Sequence, residues 1–202
     1  MELRRFAIGD DGRTVVVPAM KGSGESIASK VFETIPGVPV TLLVFESDEW
    51  FDDFSPWPSD VGGRVFGGRG ELTLKEIEKH APEGSLIAGY SLGGLFALWS
   101  LCRSDIFTGA ACCSGSLWFE GWDSFADSNT VPSHSDVYLS LGSKEPGSGR
   151  PPMSSIGDCY ARQELRLKAD PSINFSSVKE RGGHFTDPDG RLARGIAWLL
   201  KY

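Results

Sequence analysis

The segment 89–93 reads Gly-Tyr-Ser-Leu-Gly and places Ser91 between an apolar run and the start of a helical pattern. A strand, a sharp turn and a helix in this order lift a serine hydroxyl clear of the sheet. The flanking glycines leave room for the tight backbone path. Amide groups at the start of the helix then face any oxyanion that forms beside the serine. This pattern indicates a nucleophilic serine that attacks a carbonyl carbon.

The motif needs support from its context, because 25 of the 202 residues are glycine. A serine also needs a base, and the sequence offers three histidines. His184 lies in Gly-Gly-His-Phe, after the last predicted strand, and is the expected base. His80 ends a polar helix, where a positive charge complements the helix dipole. His134 precedes a strand and is therefore expected at the opposite edge of the sheet.

The acid of a catalytic triad orients the imidazole and stabilises its charged form. Glu145 follows a predicted strand, at the sheet edge expected for Ser91 and His184. It also completes the chain order serine, acid, histidine that accompanies a nucleophile of this kind. Asp158, within a predicted helix, is an alternative acid, and a Ser–His pair without a third member is another. We expect Glu145 to be the acid.

Two backbone amides are expected to stabilise the oxyanion. One belongs to Leu92, the residue after the nucleophile, and the other to the loop that follows the first core strand. Met20 is the predicted donor in that loop. Both positions lie where strands end, which is where ligands bind in open parallel sheets.

Apolar runs of strand length alternate with helical patterns along the chain. The predicted strands cover residues 14–17, 40–45, 85–89, 108–114, 136–141 and 173–178. The predicted helices cover residues 25–34, 73–80, 91–102, 118–126, 156–168 and 188–200. A capping box of Thr73 and Glu76 places the start of the second helix. This alternation predicts one α/β domain over residues 1–202, with a mostly parallel sheet of about six strands and helices on both faces.

The segment 46–70 is rich in Trp, Pro, Gly and Asp and is long for a simple connection. We expect a functional loop near the site. Trp57 in this segment and Trp118 after a later strand are candidate substrate-binding residues. Tryptophan in a loop also serves as a hydrophobic plug, and that alternative stays open for both.

The composition disfavours several classes of binding partner and several cellular locations. The net charge of −7 disfavours nucleic acid and anionic membrane surfaces as partners. No apolar run approaches the roughly 18 residues of a membrane span. The N-terminus lacks the apolar region of a signal peptide, so a cytoplasmic location is expected. The four cysteines have no metal-ligand spacing, and we expect neither a metal nor an organic cofactor.

The chain resembles an esterase family of the α/β-hydrolase superfamily that includes esterase D-like, feruloyl and enterobactin (siderophore) esterases. More narrowly, the chain resembles small bacterial members of this family. The matching segments are those around Ser91, Ser-Pro-Trp-Pro at 55–58, Ser-Gly-Ser-Leu-Trp-Phe at 114–119, residues 138–145 and Gly-Gly-His-Phe at 182–185. The resemblance implies a three-layer α/β-hydrolase fold with a minimal lid. It also implies Ser91 as nucleophile, His184 as base and Glu145 as acid, although some siderophore-esterase relatives use a Ser–His dyad.

These observations together predict a serine esterase that hydrolyses a small-molecule carboxylic ester through an acyl-enzyme on Ser91. Acyl transfer to an alcohol or amine by the same residues, as in the related mycolyl transferases, is one alternative. A non-catalytic binding protein that retains the serine turn is another. The acyl group, the leaving group and the oligomeric state do not follow from the sequence.

Overall fold

The structure is a computed structural model that describes residues 1–61, 63–147 and 149–201. Its central sheet has seven strands: β1 (Glu2–Ile8), β2 (Arg13–Met20), β3 (Val40–Ser47), β6 (Ser85–Tyr90), β7 (Phe107–Cys113), β8 (Asp136–Gly142) and β9 (Asn174–Glu180). The strand order is β1-β3-β2-β6-β7-β8-β9. β1 pairs antiparallel with β3, and the other neighbours in this sheet are parallel. A separate hairpin consists of β4 (Pro58–Val61) and β5 (Arg64–Gly67).

Helices cover both faces of the sheet. They are α1 (Gly24–Thr34), α2 (Trp50–Asp53), α3 (Gly70–Glu78), α4 (Leu92–Leu101), α5 (Trp122–Ser128), α6 (Ile156–Lys168) and α7 (Pro188–Leu199). Alternate strand residues belong to opposite core clusters: Val16 packs with α3 and α4, whereas Val15 and Val17 pack with α1 and α7. Side chains alternate across a strand, so a run of apolar residues supplies both layers. The predicted three-layer fold is confirmed.

The parallel register brings the functional loops to one edge. Tyr90 is level with Cys113, Cys113 with Ser140, and Ser140 with Val178. The segments after β6, β7, β8 and β9 therefore leave the sheet side by side. Ligands bind at this carboxyl edge in open α/β sheets.

The seventh strand, β1, is absent from the sequence-based prediction of about six. It lies at an edge of the sheet, and no residue in it is fully buried. Its charged residues, Arg4 among them, obscure the apolar pattern and are typical of an edge strand that must not pair with another chain. Among the described residues, no helix combines the length and apolar character needed to cross a bilayer.

The segment 46–70 is not a long loop but contains the end of β3, α2 and the β4–β5 hairpin. Phe66 of the hairpin is buried, and its ring packs edge-on against Phe51 and Phe119. α3 begins at Gly70, and Thr73 lies buried within it, so the predicted start at Thr73 is wrong. A contact distant in sequence explains the earlier start, because the amide of Gly70 donates to the Ser55 carbonyl oxygen at 2.9 Å.

Candidate active site

Ser91 occupies a turn between β6 and α4 with an uncommon backbone conformation. Its φ is 57° and its ψ is −121°, a combination that L residues rarely adopt. The surrounding chain holds it from two sides. Its amide donates to the Cys113 carbonyl oxygen, and its own carbonyl oxygen accepts from the Ser116 amide, both at 3.0 Å. The Ser91 side chain is thereby presented at the sheet edge.

Glycines permit the close packing of this turn. A Cβ on Gly89 would lie 2.0 Å from the Gly93 carbonyl oxygen, which a folded chain cannot accommodate without moving the backbone. A Cβ on Gly93 would lie 3.0 Å from the Trp50 ring and 3.2 Å from the Pro18 ring. Sterics therefore exclude a side chain at Gly89, whereas one at Gly93 would require the Trp50 and Pro18 rings to shift by a few tenths of an ångström.

Ser91, His184 and Glu145 form a continuous chain of hydrogen bonds. The distance from Ser91 Oγ to His184 Nε2 is 3.0 Å, and that from His184 Nδ1 to Glu145 Oε2 is 2.8 Å. An ionised carboxylate only accepts, so Nδ1 carries the proton and Nε2 is the acceptor for the serine hydroxyl. The structure therefore brings together the three predicted residues in an arrangement that can remove the serine proton.

The Glu145 carboxylate is buried, with its side chain 2% exposed. Its Oε1 accepts from the Gly142 amide at 2.7 Å, from Ser114 Oγ at 2.8 Å and from Arg191 Nη1 at 3.0 Å. Burial raises the pKa of Glu145, but the hydrogen bonds from His184, Ser114 and Gly142 outweigh this effect and hold the pKa below its ordinary value. Glu145 is consequently ionised at neutral pH.

Arg191 of α7 is a member of the site that sequence reasoning missed. Its side chain is 1% exposed, and it contacts the Glu145 carboxylate directly. In the sequence it borders the apolar stripe of α7, where an arginine usually extends its charged end to solvent. Only the folded arrangement shows that its guanidinium points inward.

Tyr90, which precedes the nucleophile, also supports the histidine loop. Its hydroxyl donates to the His184 carbonyl oxygen at 2.6 Å and accepts from Arg191 Nη1 at 3.1 Å. The Tyr90 and His184 rings lie 5.4 Å apart, and burial raises the pKa of Tyr90. Tyr90 thus remains a neutral hydroxyl that fixes the backbone beside the base.

The two predicted oxyanion donors lie at the same sheet edge. Leu92 begins α4, where the first amides of a helix have no partner within the helix. Met20 ends β2, which lies beside β6. The loop after Met20 is anchored by Glu46, whose carboxylate accepts from the amides of Gly22 at 2.9 Å and Gly24 at 2.6 Å. The oxyanion roles of Leu92 and Met20 stay predictions.

The two predicted substrate-binding tryptophans have different surroundings. Trp57 Nε1 donates to the Glu120 carbonyl oxygen at 2.8 Å, and its ring packs against Phe119 and Phe125. These contacts attach the β4–β5 hairpin to the segment before α5, as expected for a plug. Trp118 is half-buried and follows Ser116, which bonds to the nucleophile's backbone. Substrate contact stays a prediction for both.

The remaining candidates lie outside the hydrogen-bonded chain. His80, His134 and Asp158 are exposed, and His80 Nε2 lies 3.3 Å from Glu76 Oε1. In the part of the chain that the structure describes, no three His, Cys, Asp or Glu side chains are grouped as metal ligands. Phe185 is 93% exposed, and its ring is edge-on to His184 at 5.1 Å. The sequence prediction gave Phe185 no role.

Comparison with known proteins finds similarity in structure. No family profile matches the sequence, and no curated protein matches it in sequence. An IroE-like serine hydrolase from Shewanella oneidensis superposes with a TM-score of 0.79 at 16% identity, covering 99% of this chain and 80% of that chain. Acyl-protein thioesterase 2 from Zea mays superposes with a TM-score of 0.58 at 15% identity, covering 98% of this chain and 99% of that chain. The fluorophosphonate-binding serine hydrolase FphF from Staphylococcus aureus gives 0.56 at 12% identity, covering 98% of each chain. The chain has the α/β-hydrolase fold.

Proposed function

We propose that this α/β-hydrolase chain is a serine hydrolase that cleaves a carboxylic ester through an acyl-enzyme on Ser91. The observation that carries the proposal is the hydrogen-bonded series Ser91 Oγ, His184 and Glu145, with distances of 3.0 and 2.8 Å. The similar structures described as serine hydrolases add support. An ionised, buried Glu145 suits the stabilisation of an imidazolium at His184.

In the first step Ser91 Oγ forms a bond to the ester carbonyl carbon while His184 Nε2 takes the hydroxyl proton. The amides of Leu92 and Met20 donate to the resulting oxyanion. The carbon–oxygen bond to the leaving alcohol then breaks, and Nε2 returns the proton to that oxygen. In the second step a water oxygen bonds to the acyl carbon while Nε2 takes a proton from that water. The bond from carbon to Ser91 Oγ then breaks, Nε2 returns the proton to Oγ, and a carboxylic acid leaves.

A small-molecule substrate fits the openness of this edge. Ser91 is partly exposed and the His184 side chain is 29% exposed. Residues 46–61 and 63–70 contribute α2 and a hairpin with a buried Phe66. This segment therefore packs on the body of the protein. The partial exposure of Ser91 and His184 gives an ester access to both side chains from solvent.

The proposal is tested with a fluorophosphonate probe and with p-nitrophenyl acetate. Wild-type protein should label at Ser91 and release p-nitrophenol. Ser91→Ala should abolish labelling and reduce turnover by at least about 10⁴-fold, the loss typical of removing a nucleophile. Ser128→Ala changes an exposed serine at the end of α5 and should behave as wild type. Folded wild-type protein that neither labels nor turns over ester would refute the proposal.

A further inference from the structure

A buried arginine contacts both the acid of the candidate site and the loop that carries the base. Arg191 Nη1 lies 3.0 Å from Glu145 Oε1 and 3.1 Å from both Ser114 Oγ and Tyr90 OH. Its second terminal nitrogen, Nη2, donates to the carbonyl oxygens of Arg181 and Gly183, each at 3.0 Å. One guanidinium thus contacts the predicted acid and the loop that carries His184.

The two loops that Arg191 contacts are also bonded to each other. The Ser143 amide donates to the Glu180 carbonyl oxygen at 2.7 Å, and the Lys144 amide donates to the Gly182 carbonyl oxygen at 3.0 Å. These bonds set the spacing of the loop backbones. They do not determine how the carboxylate of Glu145 is rotated, which is a property of its side chain.

Stability alone is a weak reason to bury this ion pair. Removing two charges from water is costly, and apolar replacement of a buried pair is often neutral or stabilising. The chain nevertheless leaves space for the pair, since a Cβ on Gly142 would lie 2.6 Å from Glu145 Oε1 and 2.9 Å from Arg191 Nη1. The space left for the pair indicates that the position of the Glu145 carboxylate relative to Arg191 matters for more than stability.

We propose that Arg191 is a positioning residue that acts through Glu145. With Arg191, Ser114 and the Gly142 amide bound to Oε1, the carboxylate is held with Oε2 directed at His184 Nδ1. The fixed planar donors of a guanidinium suit this task, because they bind the carboxylate and the two carbonyl oxygens at once. This inference rests on the proposed hydrolase function.

Substitutions at Arg191 should reduce kcat more than they change KM. Arg191→Met removes the donors and retains an apolar stem, and a misplaced acid should lower kcat by about 10- to 100-fold. KM should stay within about threefold because Arg191 does not reach the substrate site. Arg191→Lys should lower kcat by a smaller factor than Arg191→Met, because an ammonium keeps the positive charge. It should still lower kcat, because an ammonium reaches fewer acceptors than a guanidinium. The measurement is steady-state hydrolysis of p-nitrophenyl acetate, with folding checked by circular dichroism.

A double-mutant cycle separates positioning from general structural support. In the Glu145→Gln background, Arg191→Met should change kcat by less than about threefold, because the group through which it acts is already altered. An arginine that only supports the fold would lower kcat by the same factor in both backgrounds. Equal factors, or full activity in Arg191→Met, would overturn the proposal. The double variant replaces both buried charges and so keeps the Glu145→Gln arm measurable. Where Arg191→Met alone folds poorly, Arg191→Lys takes its place in both backgrounds of the cycle.

Arg194→Met is the matched control on the same helix. Arg194 is 44% exposed on its side chain and pairs with Glu180 at 2.9 Å and Asp187 at 3.2 Å. Its kcat should equal that of wild type, and an equal loss in both arginine variants would count against a specific role for Arg191. Absence of turnover and of Ser91 labelling in the wild type would instead refute the hydrolase function itself.

Discussion

The two oxygens of Glu145 have separate partners, and this division determines what the carboxylate can do. Oε2 lies 2.8 Å from His184 Nδ1, whereas Oε1 accepts from Gly142, Ser114 and Arg191. A neutral imidazole needs only orientation, but an imidazolium formed during proton transfer also needs a nearby negative charge. Glu145 is therefore expected to stabilise the site most after the proton has moved from Ser91 to His184.

Glu145→Gln should lower kcat by about 10²- to 10⁴-fold with a smaller change in KM. An amide has one acceptor oxygen, so either His184 or the donors at Oε1 would face an NH₂ group. Ester hydrolysis by purified protein measures the effect, with Glu83→Gln, at an exposed position before β6, as control. Unchanged activity would show that Ser91 and His184 act as a dyad.

At the scale of elements, the close approach of β6 and α4 around Ser91 leaves no space for a side chain at Gly89. The Gly93 carbonyl oxygen, in the first turn of α4, lies 2.0 Å from the position that a Cβ on Gly89 would take. Backbone atoms cannot rotate away as a flexible side chain can. Any added atom must therefore separate β6 from α4 and shift the nucleophile between them.

Gly89→Ala should destabilise the protein by about 1–3 kcal/mol or more, the usual cost of overpacking. It should also reduce fluorophosphonate labelling of Ser91. Gly183→Ala is the comparison for stability, since a Cβ there meets no atom within 4 Å. Urea unfolding of both variants gives the free energies. Equal stability of the two variants would contradict the tight-turn interpretation.

At the scale of the whole molecule, the lowered pKa of Glu145 links the site to stability. Burial raises the pKa of Glu145, but hydrogen bonds from His184, Ser114 and Gly142 lower it by a larger amount. The net result is a pKa below the ordinary 4.5. A carboxyl whose pKa is lower in the folded state stabilises that state above its unfolded pKa. This contribution is lost as the pH falls through the folded value.

Urea unfolding between about pH 6 and pH 3 should therefore show a loss of stability in acid for the wild-type protein. The free energy of unfolding of Glu145→Gln should fall by less over the same pH range, because the glutamine side chain does not titrate. Other carboxyls with lowered pKa, such as Asp123 and Glu164, contribute equally to both proteins. Parallel curves for the two proteins would argue against a stabilising charge at Glu145.

The sequence by itself determined the layers of the fold and the three residues of the hydrogen-bonded chain. Apolar runs alternating with helical patterns predict parallel strands, and parallel strands end at one edge. Ser91, Glu145 and His184 each follow such a strand, so their meeting could be inferred from order and direction. Local patterns were sufficient because the sheet geometry converts positions after strands into neighbours in space.

Tertiary structure alone decided the features that depend on contacts between distant segments. β1 is an edge strand without a fully buried residue, and α3 begins at Gly70 because of a bond to Ser55. The inward direction of Arg191 depends on acceptors 101, 77, 46, 10 and 8 positions away in sequence. No local pattern encodes such a set. The orientation of a long charged side chain is decided by which buried acceptors the completed fold places within its reach.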